Sequence, residues 1–253
     1  KMDTSRFFQS LQLGPYVLNN RIVLPPLTRS RSTQPGNIAN PLMATYYQQR
    51  AGAGFMVTEG TQIEPRGQGY AWTPGIHSAE QIEGKVFIET GPGAGALAEP
   101  SVPRALSNAE VKELVQLYAQ AARNALSAGF DGVEIHCANG YLVNQFISAH
   151  SNQRDDEYGG SLHNRLRFLR EIVQAVSEVV GADRLGAGRY TTERGAQTLE
   201  AGLGDLIAFG RPFIANPDLP QRIANGWPLN PVDPSSMYGG TEKGYSDYPT
   251  YAE

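Results

Sequence analysis

Phe130-Asp131-Gly132-Val133-Glu134-Ile135-His136-Cys137-Ala138-Asn139-Gly140-Tyr141-Leu142 is the stretch on which the reading of this chain turns. Val133, Ile135 and Cys137 alternate with Gly132, Glu134 and His136, the period-two pattern of a strand. Successive side chains leave a strand on opposite faces, so Glu134 and His136 share one face and the apolar set takes the other. Asn139-Gly140 breaks the pattern, as that dipeptide does in turns, and the chain resumes at Tyr141. His136, Asn139 and Tyr141 thereby gather at the carboxyl end of one strand, where parallel α/β folds keep their chemistry. Two hydrogen-bond donors and a phenol suit a carbonyl oxygen that gains charge beside a carbon that gains a proton. Each residue also has a plainer reading: a histidine satisfied within the fold, a turn, a packing aromatic.

Just upstream, Ser107-Asn108-Ala109-Glu110 is a capping box, the serine accepting from the backbone and the glutamate reaching back. It opens a helix whose buried side is Val111, Leu114, Val115, Leu117, Tyr118, Ala121, Ala122 and Ala125, ended by Gly129. A helix running straight into a buried strand predicts a parallel, helix-covered sheet. Three more strands fit it. Arg21-Ile22-Val23-Leu24 is stopped by Pro25-Pro26, which cannot donate to a ladder. Phe55-Met56-Val57-Thr58-Glu59 closes at Gly60, and Asp205-Leu206-Ile207-Ala208-Phe209 ends in Gly210-Arg211-Pro212-Phe213. Glycine-exposed backbone beside an arginine at a strand end suits a phosphate.

Further helices are expected over 41–53, 162–180, 192–202 and up to Gly226. Residues 7–20 form a surface lead-in that turns at Gly14-Pro15. Residues 61–76 make a long Gly/Pro loop of the kind that is usually functional. Arg29 and Arg31 read equally well as a solvated surface pair. The tail from 232 to 253 has no helical or strand period, a composition common in disordered ends.

The 253 residues, 40% of them hydrophobic, suffice for one large domain with a real core. A net charge of −4 with no basic block argues against nucleic acid or an anionic membrane as partner. The single cysteine, Cys137, excludes an internal disulfide and reads as a small buried apolar residue. With no spanning-length apolar run and no signal-peptide core, the expected location is cytoplasmic. No histidine or carboxylate spacing points to a metal site.

Together these stretches resemble the old yellow enzyme family of FMN-dependent NADH:flavin oxidoreductases and ene reductases, N-ethylmaleimide reductase-like. Arg154-Asp155-Asp156-Glu157-Tyr158-Gly159-Gly160-Ser161 matches that family's Arg-x-Asp-x-Tyr-Gly-Gly-Ser signature. Its Arg154, Asp155 and Asp156 read as a bracing charge cluster. The resemblance implies a (β/α)8 TIM barrel and one FMN-binding domain over 1–253. It implies that His136 and Asn139 hold the substrate's electron-withdrawing group and that Tyr141 gives the proton. Pro26, Leu27, Thr28 and Gly60 become contacts of the flavin, and Gly188, Arg189, Gly210 and Arg211 the grip on its phosphate. Tyr70 and Tyr238 become substrate-binding walls. FMN is the implied cofactor and NADPH or NADH the implied reductant. An enone, maleimide or nitro compound is the implied substrate, and the implied state is a monomer or homodimer.

The chain also departs from the family pattern. A helix starting at Ser78 stops at Gly84, and Asp183-Arg184-Leu185-Gly186-Ala187-Gly188-Arg189-Tyr190 joins the entry of one strand to the exit of another. Strands three and six, and parts of five and seven, are missing, with discontinuities near 84–85 and 186–188. Either residues are omitted there or the deletion is real; joins at those points leave large buried openings, which favours omission. Two other classes stay open. One is a glycosidase-like barrel using Glu59 and Glu134 as acid and base. The other is a non-catalytic, internally deleted family member.

Overall fold

The chain enters through an antiparallel hairpin, β1 (Leu11–Leu13) and β2 (Tyr16–Leu18), turned by Gly14 at φ +53°. The computed structural model describes residues 3–78, 81, 104–181, 199–200 and 205–251. The joins at 84–85 and 186–188, and the helix expected over 192–202 apart from Leu199 and Glu200, lie outside these.

Behind the hairpin comes β3 (Ile22–Leu24), buried at every position. It pairs in parallel with β4 (Phe55–Met56) on one side and β5 (Ile207–Ala208) on the other. The first strand of the sheet therefore lies between the second and the last. That order is the one a barrel has where its first and last strands meet. Behind β3 and β5, Phe7, Ile22, Leu24, Phe209, Phe213, Leu219 and Ile223 pack into one core. Beside β4 runs α1 (Pro41–Gln49), capped by Asn40, whose carboxamide oxygen accepts from Met43 N at 3.0 Å.

A second core lies under the capped helix. This is α2 (Asn108–Ser127), and its box is complete: Ser107 Oγ accepts from Glu110 N at 3.3 Å, and Glu110 Oε2 from Ser107 N at 2.8 Å. After α3 (Leu142–Ile147), the helix expected over 162–180 is broken at Leu166 into α4 (Leu162–Arg165) and α5 (Arg167–Val180). Phe168, Ile172, Val176 and Val180 stand one turn apart on α5 and pack with Val111, Leu114, Val115 and Ala122 of α2. Each such burial contributes about 1.5–3 kcal/mol. The signature loop braces this unit: Arg154 binds Asp156 at 3.0 and 2.5 Å and also reaches Leu106 O and Asn108 Oδ1 at the start of α2. Asn124 Nδ2, bonded to Ile76 O at 2.7 Å, ties the second core to the loop after β4.

Three expectations are corrected. Residues 133–137 are not a strand, because their backbone makes no ladder hydrogen bond to any described residue. Only Ile135 is buried there, and Cys137 is exposed instead of filling the core. The strands that do form are shorter than the patterns suggested. Finally, Gly210 does not end a strand; it opens α6 (Gly210–Ala215), which α7 (Leu219–Asn225) follows. Among the described residues the barrel is not closed.

Candidate functional site

The site is built by a turn. Asn139 at φ +60° and Gly140 at φ +83° occupy the left-handed region in succession; asparagine tolerates it among side-chain-bearing residues and glycine adopts it freely. Gly140 N donates to Asn144 Oδ1 at 2.9 Å, which fixes the turn against α3. Tyr141 is thereby swung back over the preceding residues, and its ring lies 5.0 Å from that of His136. Tyr70 arrives from the loop after β4. Its ring meets Tyr141 edge to face at 6.3 Å, and the two phenol oxygens are 2.6 Å apart. The bond to Tyr70, burial and the nearby Tyr238 push the Tyr141 phenol up to about 12. The structure thus brings together His136, Tyr141, Tyr70 and Tyr238. Asn139 is exposed on the same turn and makes no side-chain hydrogen bond to a described residue.

The residues expected to hold a flavin lie at the carboxyl ends of β3, β4 and β5. Leu27 packs on the core behind β3, and a Cβ at Gly210 would lie 3.5 Å from Leu27 Cδ2, so these sequence-distant groups abut. Pro26 and Thr28 flank Leu27, and the Thr28 hydroxyl has no partner among the described residues. Arg211, exposed in the first turn of α6, likewise has none. A Cβ at Gly60 would meet nothing within 4 Å. Open backbone, with a hydroxyl and a guanidinium that have no partner among the described residues, fits a flat hydrogen-bonding ring with an anionic tail. Gly188 and Arg189 lie outside the described residues.

One group was misread from the sequence. Arg29 and Arg31 are no solvated pair: both are buried, Arg29 with 0% exposure. Arg29 donates to Met237 O at 2.9 Å and Gly244 O at 2.5 Å. Arg31 donates to Thr241 O at 2.9 Å, Ser236 O at 2.9 Å and Lys243 O at 3.0 Å. Tyr245 stacks on Tyr46 at 4.2 Å, with the Arg31 guanidinium 4.3 Å from the Tyr245 ring. Burial and the neighbouring Arg29 charge lower Arg31 to about 10. The two arginines strap residues 236–244 across the sheet end and carry Tyr238, 65% exposed, towards Tyr141. A tail of tyrosines spaced by glycines offers both ring faces and uncovered carbonyls to cations, a composition visible in the sequence although its pairing with Arg29 and Arg31 was not.

Glu59 belongs to the same cluster. Its Oε2 accepts from Arg29 N and Ser30 N, both at 3.1 Å, and burial pushes its carboxyl up. Glu59 is 2% exposed, with Oε2 shared by two backbone amides and Oε1 buried without a hydrogen-bond partner among the described residues. Among the described residues no three His, Cys, Asp or Glu side chains group to hold a metal, and no helix is long and apolar enough to cross a membrane.

The family model described as the NADH:flavin oxidoreductase / NADH oxidase family matches residues 6–90, 88–187 and 184–230. The chain is 33% identical to 12-oxophytodienoate reductase 1 of Oryza sativa subsp. japonica over 352 residues, covering 96% of this chain and 92% of that protein. It is 30% identical to a probable flavin mononucleotide-dependent alkene reductase of Leishmania infantum over 350 residues, covering 94% and 96%. Among solved structures it resembles morphinone reductase in complex with tetrahydroNAD, with TM-score 0.90, 33% identity and 97% and 98% of the two chains covered. An old yellow enzyme homologue from Zymomonas mobilis follows at TM-score 0.89 and 29% identity, with 97% and 99% covered. The architecture is thus that of an α/β barrel.

Proposed function

We propose, from the premise that this chain belongs to the NADH:flavin oxidoreductase / NADH oxidase family, that it reduces the activated C=C bond of an α,β-unsaturated carbonyl or nitro compound. The reductant is NADPH or NADH. FMN, the family's cofactor, supplies hydride to the β-carbon when bound. Pro26, Leu27, Thr28 and Gly60 would hold its ring, and Gly210 and Arg211 its phosphate, with Gly188 and Arg189 proposed as the rest of that grip. His136 and Asn139 donate to the carbonyl oxygen, where donors matter most because charge develops there. Tyr141 gives its proton to the α-carbon. Tyr70 and Tyr238 wall the substrate. The observation that carries this reading is the 5.0 Å approach of the His136 and Tyr141 rings.

Replacing His136 with Ala is expected to weaken binding of a para-substituted phenol to the FMN-loaded protein by about 1.5–3 kcal/mol, the scale of a hydrogen bond to a charged group. Titration calorimetry measures it. Unweakened binding would move the anion site away from His136.

A second reading is a non-catalytic member with two internal deletions, and the ladderless 133–137 segment fits it. Such a chain would keep the fold's two cores and fail to retain flavin.

A further inference from the structure

Three phenols reach the mouth from separate parts of the chain: Tyr70 from the loop after β4, Tyr141 from the turn before α3, and Tyr238 from the strapped tail. Of these, only Tyr70 and Tyr141 are hydrogen-bonded, at 2.6 Å, on the short side of ordinary O–H···O contacts. Their rings meet edge to face, so neither phenol is free to turn away without losing the ring contact. Tyr70 is 54% exposed and stands in contact with bulk water.

A phenol that donates to carbon is left as phenolate and has to be recharged before it acts again. With a substrate lying over His136 and Tyr141, the hydrogen bond between Tyr70 and Tyr141 is the connection already made. We propose that Tyr70 is the proton-relay partner of Tyr141. As the Tyr141 O–H bond breaks and its proton passes to the substrate α-carbon, the Tyr70 hydroxyl proton moves to the Tyr141 oxygen. Water then returns one proton to Tyr70. The balance is one proton from solvent to carbon per turnover, with no further reactant. Tyr238 makes no hydrogen bond to either oxygen among the described residues; His136 is the other titratable ring in contact with Tyr141.

This role rests on the reading of Tyr141 as the acid, so the test separates the two. Protein carrying [13Cζ]tyrosine and FMN is compared as native, Tyr70→Phe and Tyr141→Phe, the last identifying the Tyr141 resonance. Two quantities are read: the pH titration of that resonance, and the rate and proton inventory of enone turnover in H2O/D2O mixtures. In Tyr70→Phe the resonance is expected to titrate at lower pH than in the native protein, because the bond to Tyr70 is the largest cause that raises it. Turnover should slow about tenfold, the lower part of the range for positioned proton transfer, and a bowed proton inventory should become linear. An unmoved titration overturns the pairing. A shifted titration with undiminished turnover overturns the relay and leaves Tyr141 as the acid. Equal turnover by the native protein and Tyr141→Phe overturns the role of Tyr141, and the relay with it.

Discussion

Tyr141→Phe is expected to slow enone reduction by about 10²–10⁴-fold, the usual contribution of a positioned general acid, while leaving NAD(P)H oxidation in air unchanged. The substitution is nearly isosteric. It keeps the ring 5.0 Å from His136 and the edge-to-face contact with Tyr70, and removes only the O–H. The phenol, pushed up to about 12 by its bond to Tyr70, by burial and by Tyr238, stays protonated across the neutral and alkaline range. It follows that the alkaline fall of the native pH–rate profile below about pH 10 is not the loss of this acid. Stopped-flow turnover with a simple cyclic enone measures the effect. An unchanged rate would show that the proton reaches the α-carbon by another route.

Arg29→Met is expected to destabilise the fold by on the order of 3–5 kcal/mol, as removing one partner of a buried charge cluster does. The guanidinium has no solvent exposure and lies 5.1 Å from the Tyr46 ring centre and 5.0 Å from that of Tyr245. Methionine fills much of that volume but donates to nothing. Met237 O and Gly244 O lose their Arg29 donors, each loss costing about 1–3 kcal/mol when the group stays buried. The Glu59 carboxylate, disfavoured by burial, also loses a nearby cation. Chemical denaturation gives the stability change, and hydrogen exchange over 236–244 shows whether the strap is released. A shift below about 1 kcal/mol would mean that Arg31 alone holds the tail.

The α2 helix was legible in the sequence because its signals are local: a four-residue capping box, an apolar face at helical spacing, a terminal glycine. The apolar runs of β3, β4 and β5 were legible for the same reason, although β4 pairs over only Phe55–Met56. Residues 133–137 were not. Their period-two pattern states which face is apolar, but a strand exists only where neighbours supply hydrogen bonds, and no described residue does so. Arg29 and Arg31 were illegible because their acceptors lie some two hundred positions along the chain, where local charge and spacing say nothing. The turn at Asn139-Gly140 announced itself by composition. The Tyr70–Tyr141 bond, made across 71 positions, did not. Sequence patterns pointed to the residues of this site, and the contacts among them came from the structure.

The ene-reductase assignment is tested most directly by one anaerobic spectrum. Purified protein is mixed with FMN, freed of unbound cofactor, reduced with NADPH or NADH, and given a cyclic enone. The account predicts retained visible flavin absorbance that NAD(P)H bleaches and the enone restores. A colourless protein after removal of free FMN, or bleached absorbance that no enone, maleimide or nitro compound restores, would contradict it.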